Sequence, residues 1–521
     1  MSGQTAPATA PSSAPPADPL AAAHQDLLNG KYDDALAKYK TVVAQDGKSG
    51  EGRAGLVRTY LKRGEIDLAL EAASKAVADL PDSVPVHAAL GEVYFRQAKM
   101  GEAEQEFLRA INTPKPDARA YLGLAILYDA YSMHASARKM LLLAHTLAPT
   151  DPDIHKRWIQ SRPRSEQIEW LEKRIADAAT DDEELRASLR SRLDLLKDRE
   201  KHPGVYCRLA NKLSATEAEL KPLMIDNTHI SGFGLSVKLN GQSSKLLLDT
   251  GASGIFINRR LAQKAGIKPL VTTTYGGIGD KGEGTSYLGY ADSIRIGELE
   301  FQNCLVEVSD KRSVLGDDGL IGANVFSDYL VTIDFLWQKL RLQELPKRPD
   351  GLEAAPTLAS SLEDDEDGAE SPQRAPQDRY IAPEMKSFTK VFRFGHELLI
   401  PTRVGNAPPK LFLIDTGAMF NSISPAAARE VTKIHNDAFT TVTGVSGHVK
   451  KVYSADKAML TFSHFQQENQ DLTTFDLSGM SRNTGTEVSG ILGFVTLRRF
   501  QLKIDYRDGL VDFVYSSGSG K

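Results

Sequence analysis

The chain has 521 residues, a formal net charge of −5 and 41% hydrophobic residues. That length exceeds what one hydrophobic core organises and predicts about three domains. The small negative charge offers no footprint for nucleic acid, and no uninterrupted apolar run reaches the about 18 residues that would span a bilayer.

In chain order, residues 1–20 form an Ala/Pro/Ser tether with neither a basic start nor an apolar core, so they are not an export signal as written. Tethers of this kind often follow a removed export signal. The compartment therefore stays open, with a lean to an extracytoplasmic, bacterial periplasmic location over a cytoplasmic one.

Residues 21–158 repeat. Ala35, Ala69, Ala103 and Ala137 are spaced by 34, as are Tyr60, Tyr94 and Tyr128, and Ala76, Ala110 and Ala144; Val42 breaks the last column in the first unit. Helical periodicity between these columns, with Pro81 and Pro149 at turns, predicts one helix-turn-helix unit per period. The pattern resembles tetratricopeptide repeats, which implies a surface for a polypeptide or partner protein, or a solenoid that only spaces its neighbour. Residues 159–226 read as charged connecting or capping helices.

The grammar then changes to period-two alternation with glycine punctuation, over 227–345 and again over 388–515. Between them, 346–387 reads as a flexible linker that is acidic and proline-rich, long enough to cross a small domain, and 516–521 as a disordered tail. Cys304 lies in an apolar strand-like run while Cys207 lies in a segment of different character, so buried free thiols are expected rather than a disulfide.

The two β segments share one short phrase. "LLLDTGASGIFIN" starts at Leu246 and "LFLIDTGAMFNSIS" at Leu411, and each is answered downstream by an apolar pair and glycine, Leu320-Ile321-Gly322 and Ile491-Leu492-Gly493. An aspartate ending an apolar strand is costly unless something compensates it. Two like halves meeting about a pseudo-twofold axis would bring Asp249 and Asp415 together to share a proton, one acting as acid while the other draws a proton from water.

On these residues the chain resembles pepsin/retropepsin-type aspartic proteases. The first half is closest to the retroviral type, with "DTGA", "YGGIGDKGEG" and "LIGAN" in that order. The resemblance implies catalytic Asp249 and Asp415, a dyad supported by Thr250, Gly251, Thr416 and Gly417, and flaps over the substrate. The first flap would carry Tyr275, Gly276, Gly277, Ile278 and Gly279, with Tyr275 and Ile278 facing substrate or packing on the body. The second would carry Gly444 and Val445. It also implies a multidomain α plus β chain, an all-α repeat domain followed by an all-β bilobal retropepsin-like fold.

The second half departs from the first. Met419 replaces Ser253, its flap is poorer in glycine, and Phe494 follows Gly493 where Ala323-Asn324 follow Gly322. One true flap, as in pepsin-like enzymes, is therefore an alternative to a pair, and an inactive peptide-binding scaffold is an alternative to an endopeptidase. Gly277, Gly279 and Gly282 also fit a dinucleotide-binding spacing, but the strand-like "TSYLGYADSIRIG" that follows argues for a hairpin. No cofactor, metal or nucleic acid is expected, and the tethered halves are expected to pair within a monomer.

Overall fold

A computed structural model describes residues 18–177, 183–211, 213–224, 230–349, 376–437 and 439–515. The expected tail, almost all of the expected tether and most of the expected linker lie outside these residues. The chain divides into two compact units, Met1–Gly123 and Leu124–Lys521. This division falls inside the stretch read as one repeat domain.

The 34-residue period is written in the helix bounds. Helices Tyr32–Gln45, Ile66–Asp79, Met100–Ile111 and His134–Leu147 begin 34 residues apart, as do Gly50–Lys62, Val84–Arg96 and Ala118–Ala130. The column alanines Ala35, Ala69 and Ala103 are wholly buried, as small residues must be where helices approach closely. In the first unit Phe107 is wholly buried, and Arg58 reaches Glu92 at 2.8 Å.

In the second unit the helix Glu183–Lys201 ends the helical part, and strands begin earlier than expected. Arg208–Leu209 and Ala215–Met224 lie within the stretch read as connecting helices, and Ala215–Met224 pairs with both Ile230–Leu239 and Lys339–Glu344. Cys207 and Cys304 form a disulfide, contrary to the expected free thiols. Closing a loop of 97 residues stabilises the fold by about 4–5 kcal/mol on chain-entropy grounds.

The two β lobes share one large sheet. Tyr329–Asp334 of the first pairs antiparallel with Phe500–Asp505 of the second, from Val331↔Ile504 to Asp334↔Gln501. Phe233, Phe335 and Phe494 meet edge-on or tilted at 5.7 to 5.8 Å between centroids, so aromatic burial reinforces that seam.

The described ends of the expected linker are held in place. Arg348 donates to Asp508 at 2.6 Å and to the Asp378 carbonyl at 2.8 Å, while Tyr380 N donates to Asp508 at 2.8 Å. Asp378 also accepts from Ser136 N at 2.9 Å and from the Ser136 hydroxyl at 2.7 Å, near the start of a repeat helix. The two ends therefore adjoin at Asp508, and no span across a domain is needed.

Candidate active site

Each aspartate closes a buried strand. Gln242–Asp249 pairs parallel with Gly319–Gly322, and Lys410–Ile414, which leads into Asp415, pairs parallel with Gly490–Leu492. The apolar-apolar-glycine motifs of the sequence are thus the strands that back the aspartate loops.

The loops are cross-wired. Thr250 N donates to the Thr416 hydroxyl at 3.1 Å and Thr416 N to the Thr250 hydroxyl at 3.0 Å. The Thr250 hydroxyl donates to the Ile414 carbonyl at 2.7 Å, and the Thr416 hydroxyl to the Leu248 carbonyl at 2.9 Å. All four groups are buried, so each threonine satisfies two backbone groups of the opposite lobe at once.

Asp249 and Asp415 are buried, each set against the glycine of the opposite loop. Gly251 N donates to Asp249 at 2.8 Å, and Gly417 N and Ala418 N donate to Asp415 at 2.8 and 3.0 Å. A side chain at Gly251 would put its Cβ 2.7 Å from the Asp415 carboxyl carbon, and one at Gly417 would fall on the Asp249 carboxylate. Both glycines are therefore what lets the carboxyls meet. Burial raises both carboxyls above the usual range, and for Asp249 the Asp415 charge adds to it. Two such groups hold one proton between them more readily than two charges.

Two hairpin tips of the same β unit meet one another. Val271–Tyr275 pairs with Gly284–Ile296, leaving Gly276, Gly277, Ile278, Gly279 and Gly282 in the connecting loop; the second tip joins Thr443–Gly444 to Gly447–His448. The tips interlock. Ser446 N donates to the Ile278 carbonyl at 3.1 Å, Lys281 N to the Ser446 carbonyl at 3.0 Å, and Asp280 N to the His448 carbonyl at 3.1 Å. A Cβ at Gly277 would meet the Val445 side chain, at Gly279 the Ser446 carbonyl, and at Gly444 the Ile278 carbonyl; Gly279 also has a φ of 131°. This is a two-tip arrangement, unlike the single flap held open as an alternative. Tyr275 packs on the lobe body, 4.8 Å from the Phe256 ring, and accepts from the Ser309 hydroxyl at 3.4 Å.

Sequence reasoning assigned no role to four residues that contribute here. Asn324 accepts from Gly254 N at 3.1 Å in the first lobe, and Asn421 accepts from Gly493 N at 2.9 Å in the second. The asparagine missing after Gly493 thus has a substitute on the opposite side of the same contact. Lys311 donates to the Val445 carbonyl at 2.9 Å and lies over the Tyr275 ring, tying the second tip to the first lobe. Glu397, near Asp415, is raised to about 7 by burial and then by the Asp415 charge.

Residues 235–325 match the family described as aspartyl protease, and residues 26–91 the family described as tetratricopeptide repeat. A similar curated protein is DNA damage-inducible protein 1 of Neurospora crassa, 32% identical over 136 residues, which are 25% of this chain and 29% of the relative. A similar solved structure is a thermophilic TPR protein of Thermus thermophilus, 23% identical, covering 34% of this chain and 97% of that one, with a TM-score of 0.27. Among the described residues no helix is long and apolar enough to cross a membrane. The chain carries an aspartyl-protease domain of the retropepsin-like kind together with tetratricopeptide repeats.

Proposed function

We propose that the chain is an aspartic endopeptidase that hydrolyses peptide bonds of extended polypeptides with Asp249 and Asp415 as the catalytic pair. The observation that carries this reading is the pair itself: two buried carboxyls brought together by the facing glycines Gly251 and Gly417, each fed by backbone donors.

The ionised carboxylate takes a proton from water as the water oxygen attacks the peptide carbonyl carbon. The protonated carboxyl gives its proton to the carbonyl oxygen, and a tetrahedral gem-diol forms. Collapse breaks the C–N bond as the carboxyl that gained the water proton passes one to the amine. The other carboxyl recovers a proton from the diol, so the pair again holds one. Shared burial raises the pair's affinity for its single proton and keeps acid and base in one site. The hairpin tips exclude water and must part to admit substrate.

The lobes pair within one monomer, and the repeats, which are protein-interaction modules, recruit the polypeptide substrate or a partner. The disulfide suits an oxidising compartment. The test is digestion of an unfolded protein across pH, with and without a peptide carrying a hydroxyl-bearing tetrahedral carbon at the scissile position. Fragments that this peptide suppresses, and that a chelator or a serine-directed reagent leaves alone, support the reading. Intact substrate at every pH leaves a peptide-binding scaffold.

A further inference from the structure

The lobes differ at one position beside the dyad. In the second lobe Leu399 pairs with Leu413, and the same antiparallel register carried two residues on sets Glu397 opposite Asp415. In the first lobe Gly234 pairs with Leu247, which sets Gly232 opposite Asp249. Opposed residues of an antiparallel pair project to the same face of the sheet. Asp415 therefore has a carboxyl side chain as its cross-strand neighbour where Asp249 has none.

Glu397 opens the strand Glu397–Val404 and is partly buried. Its carboxyl makes no hydrogen bond or ion pair among the described residues, and burial and the Asp415 charge both oppose its ionisation. A carboxyl so placed lacks a compensating partner, which is costly in the folded chain. The first lobe is apolar near its own aspartate, where Leu247, Phe256, Tyr275 and Leu320 cluster with Val445.

We propose that Glu397 is a specificity-determining residue that receives the Lys or Arg side chain of a substrate residue flanking the scissile bond, on the second-lobe side of the cleft. The proposal rests on the proteolytic reading of the same site. A lysine or arginine brings a long apolar stem and a cationic head, so it can cross the cleft wall and end on the carboxylate. It supplies the charge that this chain withholds from Glu397, and it relieves the repulsion between Glu397 and Asp415. The asymmetry then sets direction, with an apolar residue against the first lobe and a basic one against the second.

The experiment compares matched peptides carrying Lys, Arg, norleucine or Glu at each flanking position, with the full chain and with Glu397→Gln and Glu397→Lys. The wild type should favour Lys or Arg over norleucine at one flanking position by roughly ten- to a hundredfold in kcat/KM. That ratio should fall to about one in Glu397→Gln and turn toward Glu in Glu397→Lys. An unchanged ratio in Glu397→Gln overturns the proposal. In parallel, non-cleavable hydroxyethylene peptides with Lys or norleucine are titrated calorimetrically. If no peptide is cut but the Lys analogue binds tighter to wild type and loses that advantage in Glu397→Gln, the specificity role holds while the proteolytic reading fails. Equal binding of the two analogues to wild type, or none of either, overturns the specificity role whatever is cleaved.

Discussion

Thr250 and Thr416 each give a backbone N–H to the other's hydroxyl, at 3.1 and 3.0 Å, across the boundary of the two lobes. Each hydroxyl also donates to a carbonyl of the opposite strand. Replacing either threonine by valine keeps the shape and strips a buried N–H and a buried carbonyl of their partners. Thr250→Val or Thr416→Val should therefore lose about 2–4 kcal/mol in denaturant unfolding, and Thr→Ser should restore most of it. A loss below about half a kcal/mol would mean that the lobes do not depend on this exchange.

The interlocked tips predict equal sensitivity of the two hairpins. Gly279→Ala and Gly444→Ala each push a Cβ onto a carbonyl of the other tip, and Gly279→Ala adds strain at its φ of 131°. On the proteolytic reading the tips close over substrate, so both should lower kcat/KM by roughly ten- to a hundredfold while melting temperatures move little. Sensitivity confined to Gly279 would favour a single working flap.

Stability should fall as pH rises from about 5 to 8. Asp505 is raised from 3.8 to about 7 by burial and by Asp508, partly offset by Arg507; Glu397 is raised from 4.5 to about 7. A raised carboxyl makes the folded chain bind more protons than the unfolded chain between the two pKa values. Its stabilising contribution is complete below the unfolded value and is lost as pH climbs through about 7. Asp505→Asn keeps the acceptor for Asp508 N, at 3.0 Å, and should flatten the slope of unfolding free energy against pH. An equal slope in the variant would show that Asp505 is not the source.

Cutting the chain between residues 350 and 375 should leave one particle. Both ends of that segment are fixed at Asp508, and the lobes are joined by the Tyr329–Asp334 to Phe500–Asp505 pairing. A protease site introduced there should yield two fragments that co-elute and retain the activity of the uncut chain. Separation of the fragments in native buffer would contradict the seam.

The repeats and the dyad were legible because their signals are local. A 34-residue column and an Asp-Thr-Gly-Ala phrase can be read along the chain. The strand Ala215–Met224 was not, since Ala, Glu, Leu, Lys and Met favour helix. Its alternating burial, ending on wholly buried Leu220, matters only once neighbouring strands accept it. Removing residues 1–226 would delete this strand and Cys207. The disulfide joins residues 97 apart, and the Asn324 and Asn421 substitution exchanges opposite sides of one contact, so both needed the tertiary fold. Glu397 carries no signal along the chain because its meaning lies in the register that puts it beside Asp415.

The most direct test of the proteolytic dyad is mass-spectrometric digestion of a peptide library by the wild type, Asp249→Asn and Asp415→Asn, each checked for native melting. Cleavage by the wild type, and a drop of at least about a thousandfold in either variant, is predicted because neither carboxyl can activate water without the other. Near-normal turnover in either variant, or no cleavage by the wild type at any pH, would contradict it.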